Sequence, residues 1–276
     1  MLDYDQEAEG YDAWRGGEPR AEAAARAVLS LLPRPRTLLD VGCGTGIVTR
    51  RLAAGPGAPR VTGVDRSVAM AGRAAARLPG AVVRADAARL PFRDAEFDAV
   101  TSVWLLHLAG SARATRAIVA DCARVLRPGG VWVTTVDKGA AHNVGSDIDA
   151  VLAARPPAAV HDTAVQVEAH ARAHGLLPAG EARFTGLGQG RSPRRTVADL
   201  RRGWFGTLPP GSALADRFAE RLAALPDQDR PRPDPVFTLR AFTKAPSART
   251  PSAPPPDAVR AAAGDRGPLR GRTRRT

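Results

Sequence analysis

Three glycines alternate at Gly42, Gly44 and Gly46, directly after an apolar run that contains Asp40 (Leu38-Leu39-Asp40-Val41). A helix-compatible segment with Ile47, Val48 and Leu52 follows. A buried strand, a tight turn and a helix start in succession suit a polar or anionic nucleotide group, because free backbone N–H groups converge there. The spacing constrains the ligand further. Dinucleotide folds use G-x-G-x-x-G, whose third glycine allows close helix–strand packing beside a pyrophosphate. Here the third glycine comes one residue early, at Gly46, and Ile47 stands in the reserved place. A ligand without a pyrophosphate fits better.

Around this turn, strand and helix patterns alternate. Residues 37–41, 60–65, 81–85, 97–103 and 131–136 read as strands. Helices are expected at 46–54, 67–77 (Ser67 as N-cap), 111–126 and 161–174, the last closed by Gly175. Arg127-Pro128-Gly129-Gly130 is a stop-and-turn before the fifth strand. Residues 181–188 and 236–243 form a candidate terminal antiparallel pair, with helical pieces near 196–206 and 212–225 between them. The expected class is α/β: a Rossmann-like doubly wound sheet of about seven strands, mostly parallel with an antiparallel terminal strand, and helices on both faces. Three segments follow: an N-terminal helical lid at 1–36, a main domain at 37–244 with a helical insertion at about 191–232, and a disordered basic Pro/Ala/Arg-rich tail at 245–276.

The formal charge of +12 invites a nucleic-acid reading, but its make-up argues against one. Lys138 and Lys244 are the only lysines among 276 residues. Arginine is abundant together with alanine, proline and glycine, as in a GC-rich coding sequence, and seven arginines crowd the tail. A solvated basic surface accounts for that pattern, and no nucleic-acid partner is expected. No run of eighteen apolar residues calls for a membrane span. The start is acidic and polar, without an apolar signal segment. The two cysteines, Cys43 and Cys122, suit a reduced, cytoplasmic protein, and no metal-ligating set stands out.

The turn has companions at later strand ends. Asp65 closes the second strand nineteen residues beyond Gly46. Because the first two parallel strand ends lie side by side, its carboxylate can accept bonds from both hydroxyls of a ribose. The G-x-G-x-G turn with Asp40 before it resembles motif I of class I S-adenosylmethionine-dependent methyltransferases. Gly63-Val64-Asp65-Arg66-Ser67-Val68-Ala69-Met70 resembles the second motif of that family, and Asp86-Ala87 followed by Leu90-Pro91-Phe92 and Phe97-Asp98 resembles its UbiE-like small-molecule branch. The resemblance covers roughly residues 37–136. It implies S-adenosyl-L-methionine as cofactor, held by Asp40, Gly42, Gly44, Gly46, Asp65, Arg66, Met70, Asp86, Ala87 and Ser102. In that reading Asp86 and the Ala87 N–H meet the adenine, Met70 packs near it or fills the core, and Ser102 with Val103 lines the methionine end. Asp98 opens a strand and reads as structural.

A sulfonium methyl is already activated, so alignment and exclusion of water are the main tasks. A base is needed only when the acceptor has a proton to lose. His107 reads either as that base or as a packing residue, and His142 has a lesser version of the same claim; no catalytic residue is assigned. Tyr11 and Arg15 read as lid residues or as helix anchors, and Trp204 and Phe205 as an acceptor wall or as core. The leading expectation is methyl transfer to a small-molecule acceptor, a step that suits secondary metabolism. The alternatives are an NAD(P)-dependent Rossmann oxidoreductase and a non-catalytic S-adenosylmethionine-binding module. Nucleic-acid methylation is disfavoured: Ser102-Val103-Trp104-Leu105 stands where amino-methylating enzymes carry N/D-P-P-F/Y, and neither cysteine is placed as a nucleophile.

Overall fold

A computed structural model describes residues 3–246; the expected basic tail lies outside the described residues from position 247 onward. Seven strands form one sheet in the order β3-β2-β1-β4-β5-β7-β6. They are β1 (Thr37–Val41), β2 (Arg60–Asp65), β3 (Val82–Arg84), β4 (Phe97–Ser102), β5 (Leu126–Val136), β6 (Leu176–Thr185) and β7 (Val236–Lys244). β1 pairs in parallel with β2 and β4, β2 with β3, and β4 with β5. β7 enters antiparallel between β5 and β6. The chain therefore winds outward in both directions from β1, and the crevice between β1 and β4 is the topological switch point where such folds hold ligands.

Ten helices accompany the sheet among the described residues. α1 (Tyr4–Glu7), α2 (Tyr11–Trp14) and α3 (Gly17–Ser30) precede it, and α4 (Thr49–Leu52), α5 (Val68–Arg77) and α6 (Ala112–Val125) connect its parallel strands. α7 (Asp147–Leu152), α8 (Ala164–Ala173), α9 (Pro193–Arg201) and α10 (Ala213–Ala223) follow β5. Ser67 and Ser111 cap α5 and α6, each accepting the N–H three residues on. Leu38, Leu39 and Val41 of β1 are fully buried; each contributes about 1.5–3 kcal/mol by leaving water. Their alternation splits the core. Leu38 packs with α3, Ile47, Leu52 and Phe237 on one face, and Leu39 and Val41 pack with α6, Trp132 and Phe242 on the other.

The departures from the sequence reading have local causes. The helix expected at 46–54 shrinks to α4, because residues 42–48 are spent on the turn. β5 begins at Leu126 rather than 131: Phe97 pairs with Leu126 and Ala99 with Val131, so Arg127–Gly130 bulges out of the ladder. β6 starts directly after Gly175, and its register slips between Pro178, which has no N–H to give, and Gly180. α7 escaped the reading altogether. Ser146 and Asp149 form a reciprocal capping box for it, and its Ile148 and Leu152 join Leu200, Phe218 and Leu222 in a third apolar cluster. The helical insertion thus draws on α7 as well as on α9 and α10. Asp98 is structural, as expected: its Oδ2 accepts the backbone N–H groups of Arg36 and Thr37, and Arg127 pairs with its Oδ1.

Candidate functional site

The glycine turn is built by two strand ends. The Val64 carbonyl accepts the N–H groups of both Gly42 and Cys43, at 2.8 and 2.9 Å. Asp65 braces the same turn, with Oδ2 accepting Gly44 N–H at 2.8 Å and Oδ1 accepting Ser67 N–H at 2.9 Å. Gly44 and Gly46 differ in what they provide. Gly44 (φ +55°) has open space where a Cβ would stand, and it lines a cavity of about 290 Å³. Gly46 (φ +76°) would place a Cβ 2.9 Å from the Ala74 backbone of α5, so it serves helix packing and stays outside the cavity lining. Asp40 is buried beneath the turn, where the Thr49 and Thr101 hydroxyls donate to its two oxygens at 2.6 and 2.9 Å. Burial pushes its carboxyl upward against those two bonds.

The cavity lies across the carboxyl ends of β1–β4. Asp40, Gly42, Gly44, Asp65, Arg66 and Met70 line it, and so do Asp86 and Ala87 beyond β3. Ser102 does not. Its hydroxyl donates to Thr134 and accepts from the Trp132 indole, within a buried network between β4 and β5. The strand alternation that turns Val103 toward the cavity turns Ser102 away from it. Met70 is both core and lining, 2 % exposed.

The N-terminal segment lines the same cavity and is bonded to its floor. Asp5 accepts the Ser67 hydroxyl and the Ala69 N–H at the start of α5. Asp12 accepts from the Thr45 hydroxyl and from Arg77, both at 2.6 Å. Tyr4, Tyr11 and Arg20 then face the cavity. Arg20, on α3, was missed by the sequence reading, which favoured Arg15. It is only 4 % exposed, its guanidinium lies over the Trp104 ring at 4.4 Å, and its Nε has no hydrogen-bond partner. Burial lowers its pKa. Arg15 instead stacks on Trp204 at 3.6 Å, while Arg202 of the insertion stacks on Trp14 at 4.3 Å. The two elements exchange an arginine for a tryptophan each way, worth about 0.5–1 kcal/mol per pair near the surface. Phe205 belongs to the apolar cluster of the insertion.

Beyond Trp104 a second group of polar side chains collects at the ends of β4 and β5. Trp104 itself sits at φ +55°, a left-handed conformation that costs an aromatic residue about 1–2 kcal/mol. Its N–H donates to the Thr135 hydroxyl, and its ring packs edge-on against Phe184 and Phe237. His142 packs edge-on against Phe237. Burial, with Lys138 and Arg15 nearby, pushes the His107 imidazole well below its usual range; His142 is pushed down by the same cause. Both are neutral at physiological pH, and the buried Nδ1 of His107 lacks a partner. Burial, then repulsion from Arg15 and Arg191, lowers Lys138 to about 7. Both cysteines are free and buried, and burial raises their thiols, the wrong direction for a nucleophile.

Comparison with known proteins agrees with this geometry. The Methyltransferase domain family matches residues 39–134. A probable S-adenosylmethionine-dependent methyltransferase of Mycolicibacterium smegmatis is 34% identical over 114 residues, 41% of this chain and 42% of that protein. Demethylmenaquinone methyltransferase of Mycolicibacterium vanbaalenii is 43% identical over 109 residues, 39% of this chain and 44% of that protein. The chain thus spans less than half the length of these curated relatives. Among solved structures, one from the complex between the Haloferax volcanii Trm112 methyltransferase activator and the putative methyltransferase superposes with a TM-score of 0.55 at 21% identity, covering 89% of this chain and 99% of that one; this likeness concerns the fold. No helix among the described residues is long and apolar enough to cross a membrane. The glycine turn and the acidic strand ends at Asp65 and Asp86 lie inside the stretch, residues 39–134, that matches the Methyltransferase domain family.

Proposed function

We propose that this chain transfers a methyl group from S-adenosyl-L-methionine to a small-molecule acceptor. The observation that carries the proposal is the charge that lines the cavity: the carboxylates of Asp65 and Asp86, and the buried, incompletely bonded guanidinium of Arg20. A ribose hydroxyl pair and an amino-acid carboxylate are the groups such an arrangement suits. Each Asp65 oxygen already accepts one backbone N–H and retains capacity for a hydroxyl. Gly44 leaves the room that a Cβ would fill. When bound, the cofactor supplies an activated methyl, taken by the acceptor's electron pair as the C–S pair withdraws to sulfur. In this reading Asp65 holds the ribose, Asp86 and Ala87 flank the adenine, Arg20 holds the carboxylate, and Arg66 and Met70 complete the walls. Gly46 and Ser102 support the site through packing. The lid built from Tyr4, Tyr11 and Arg20 keeps water from the methyl. His107, neutral and with a free nitrogen, is available where an acceptor proton must leave.

S-adenosylhomocysteine should raise the melting temperature, by the equivalent of about 2.7 kcal/mol at a hundredfold excess over its Kd, while NADH should not. Stabilisation by NADH alone would overturn the reading in favour of an oxidoreductase. Release of S-adenosylhomocysteine during incubation with S-adenosylmethionine and an acceptor panel separates an enzyme from a binding module. Binding without release across the panel is the outcome expected of the module.

A further inference from the structure

We propose that a second cavity, between the N-terminal segment and the helical insertion, binds an organic phosphate read by Arg15, Arg195 and Arg202. None of its lining residues borders the cavity at the glycine turn, so the site stands apart from the proposed methyl transfer and does not rest on it.

Three features carry it. The first is convergence on one space. Trp14, Arg15, Arg195, Asp199, Arg202 and Trp204 all line a cavity of about 240 Å³. Trp14 ends α2 and Arg15 caps it; Arg195 and Asp199 belong to α9, and Arg202 caps that helix. The second feature is how the tryptophans hold two of the arginines. The Arg15 guanidinium lies over the Trp204 ring at 3.6 Å, and that of Arg202 over Trp14 at 4.3 Å. A guanidinium over a ring face is fixed in place yet keeps a fork of N–H donors for an oxyanion. The third is uncompensated charge. Among the described residues, no hydrogen bond or ion pair engages the guanidinium of Arg15, Arg195 or Arg202, whereas Arg194, the next residue along α9, pairs with Asp229 at 2.7 Å. Asp199 is the one carboxylate on the lining. It forms no ion pair with them, and burial pushes its carboxyl up toward the neutral form. The lining therefore carries at least two net positive charges.

Tryptophan and arginine are the residue types that dominate binding hot spots, and here they occur together with Trp14 39% exposed. A carboxylate occupies one guanidinium fork. A phosphate dianion has three acceptor oxygens and the charge to engage several forks at once, so it suits this lining better. The tryptophan rings supply apolar contact for the organic group that carries the phosphate. Such an occupant touches α2 and α9 together and so ties the N-terminal segment to the insertion.

The test titrates the full chain calorimetrically with phenyl phosphate, benzoate and phenol. Phenyl phosphate should bind at least about tenfold tighter than phenol, the discrimination expected of charged hydrogen bonds, and tighter than benzoate. Arg195→Gln removes a guanidinium that stacks on no ring. It should weaken phenyl phosphate at least about tenfold with the melting temperature unchanged, and Arg195→Lys should keep part of the affinity. Arg194→Gln, one position away and outside the lining, is the control and should leave binding as it was. On binding, hydrogen exchange should slow in both α2 and α9. Equal losses in Arg194→Gln and Arg195→Gln would reveal diffuse attraction to a basic surface and overturn the proposal. Phenol or benzoate binding as tightly as phenyl phosphate, protection confined to β1 and β2, or no binding of phenyl phosphate at millimolar concentration would each overturn it as well.

Discussion

The cavity at the glycine turn and the aromatic cluster beyond Trp104 are built in different ways. The cavity floor is a set of short local motifs at consecutive strand ends, with its polar groups satisfied by nearby backbone, as Asp65 is by Gly44 and Ser67. The cluster beyond Trp104 assembles side chains from remote elements: Trp104 after β4, His142 after β5, Phe184 on β6 and Phe237 on β7. Trp104 Nε1, His107 Nδ1 and Gln189 Nε2 in this region are buried without a partner. The floor is stabilised by its own turn geometry. The cluster is held together by the rest of the fold at some expense in stability.

That contrast predicts opposite responses to substitution. The largest effect belongs to the glycine turn. Gly46→Ala should destabilise the protein by about 2–5 kcal/mol in denaturant unfolding, from left-handed strain plus collision with the Ala74 backbone. Gly44→Ala should cost only about 1–2 kcal/mol, since its Cβ meets nothing, but should weaken S-adenosylhomocysteine more than its fold. Equal unfolding costs for the two would erase the division between packing glycine and cradle glycine.

Asp65→Asn should raise the Kd for S-adenosylhomocysteine about 10- to 100-fold by calorimetry, with a small loss of stability. An unchanged Kd would remove Asp65 from the ligand and leave it as a brace of the turn alone. Lys138→Met should do the reverse and raise the melting temperature of the ligand-free protein. The sign follows from linkage: the folded-state pKa of about 7 lies below the ordinary value of 10.5. The unfolded chain therefore binds more protons across that window, and stability rises with pH through it. The gain from Lys138→Met should be full at pH 7 and below and fade toward pH 10. A melting temperature that falls at neutral pH would mean that Lys138 is already compensated in the ligand-free protein. The smallest effect belongs to the arginine–tryptophan contacts between the N-terminal segment and the insertion. Trp204→Ala should cost about 0.5–1 kcal/mol and speed hydrogen exchange in α1 and α2 while leaving β1 and β2 protected.

The sequence by itself determined the doubly wound sheet and the floor of the cofactor cavity. Both rest on interactions between near neighbours: strand alternation, a turn that only glycine can make, a serine cap, an aspartate at a strand end. Gly44, Asp65, Arg66, Met70, Asp86 and Ala87 were legible for that reason, and the structure places all six on the cavity. Ser102 was misplaced because one step along a strand reverses the face, and the pattern around it did not say where β4 ends. Tertiary structure alone decided which cation of the N-terminal segment reaches the cavity, since the helical start of α3 turns Arg20 inward and leaves Arg15 to stack on Trp204. It alone recruited α7 to the insertion. No local pattern encodes the approach of Arg20 to Trp104, because it is fixed by the packing of every element between them.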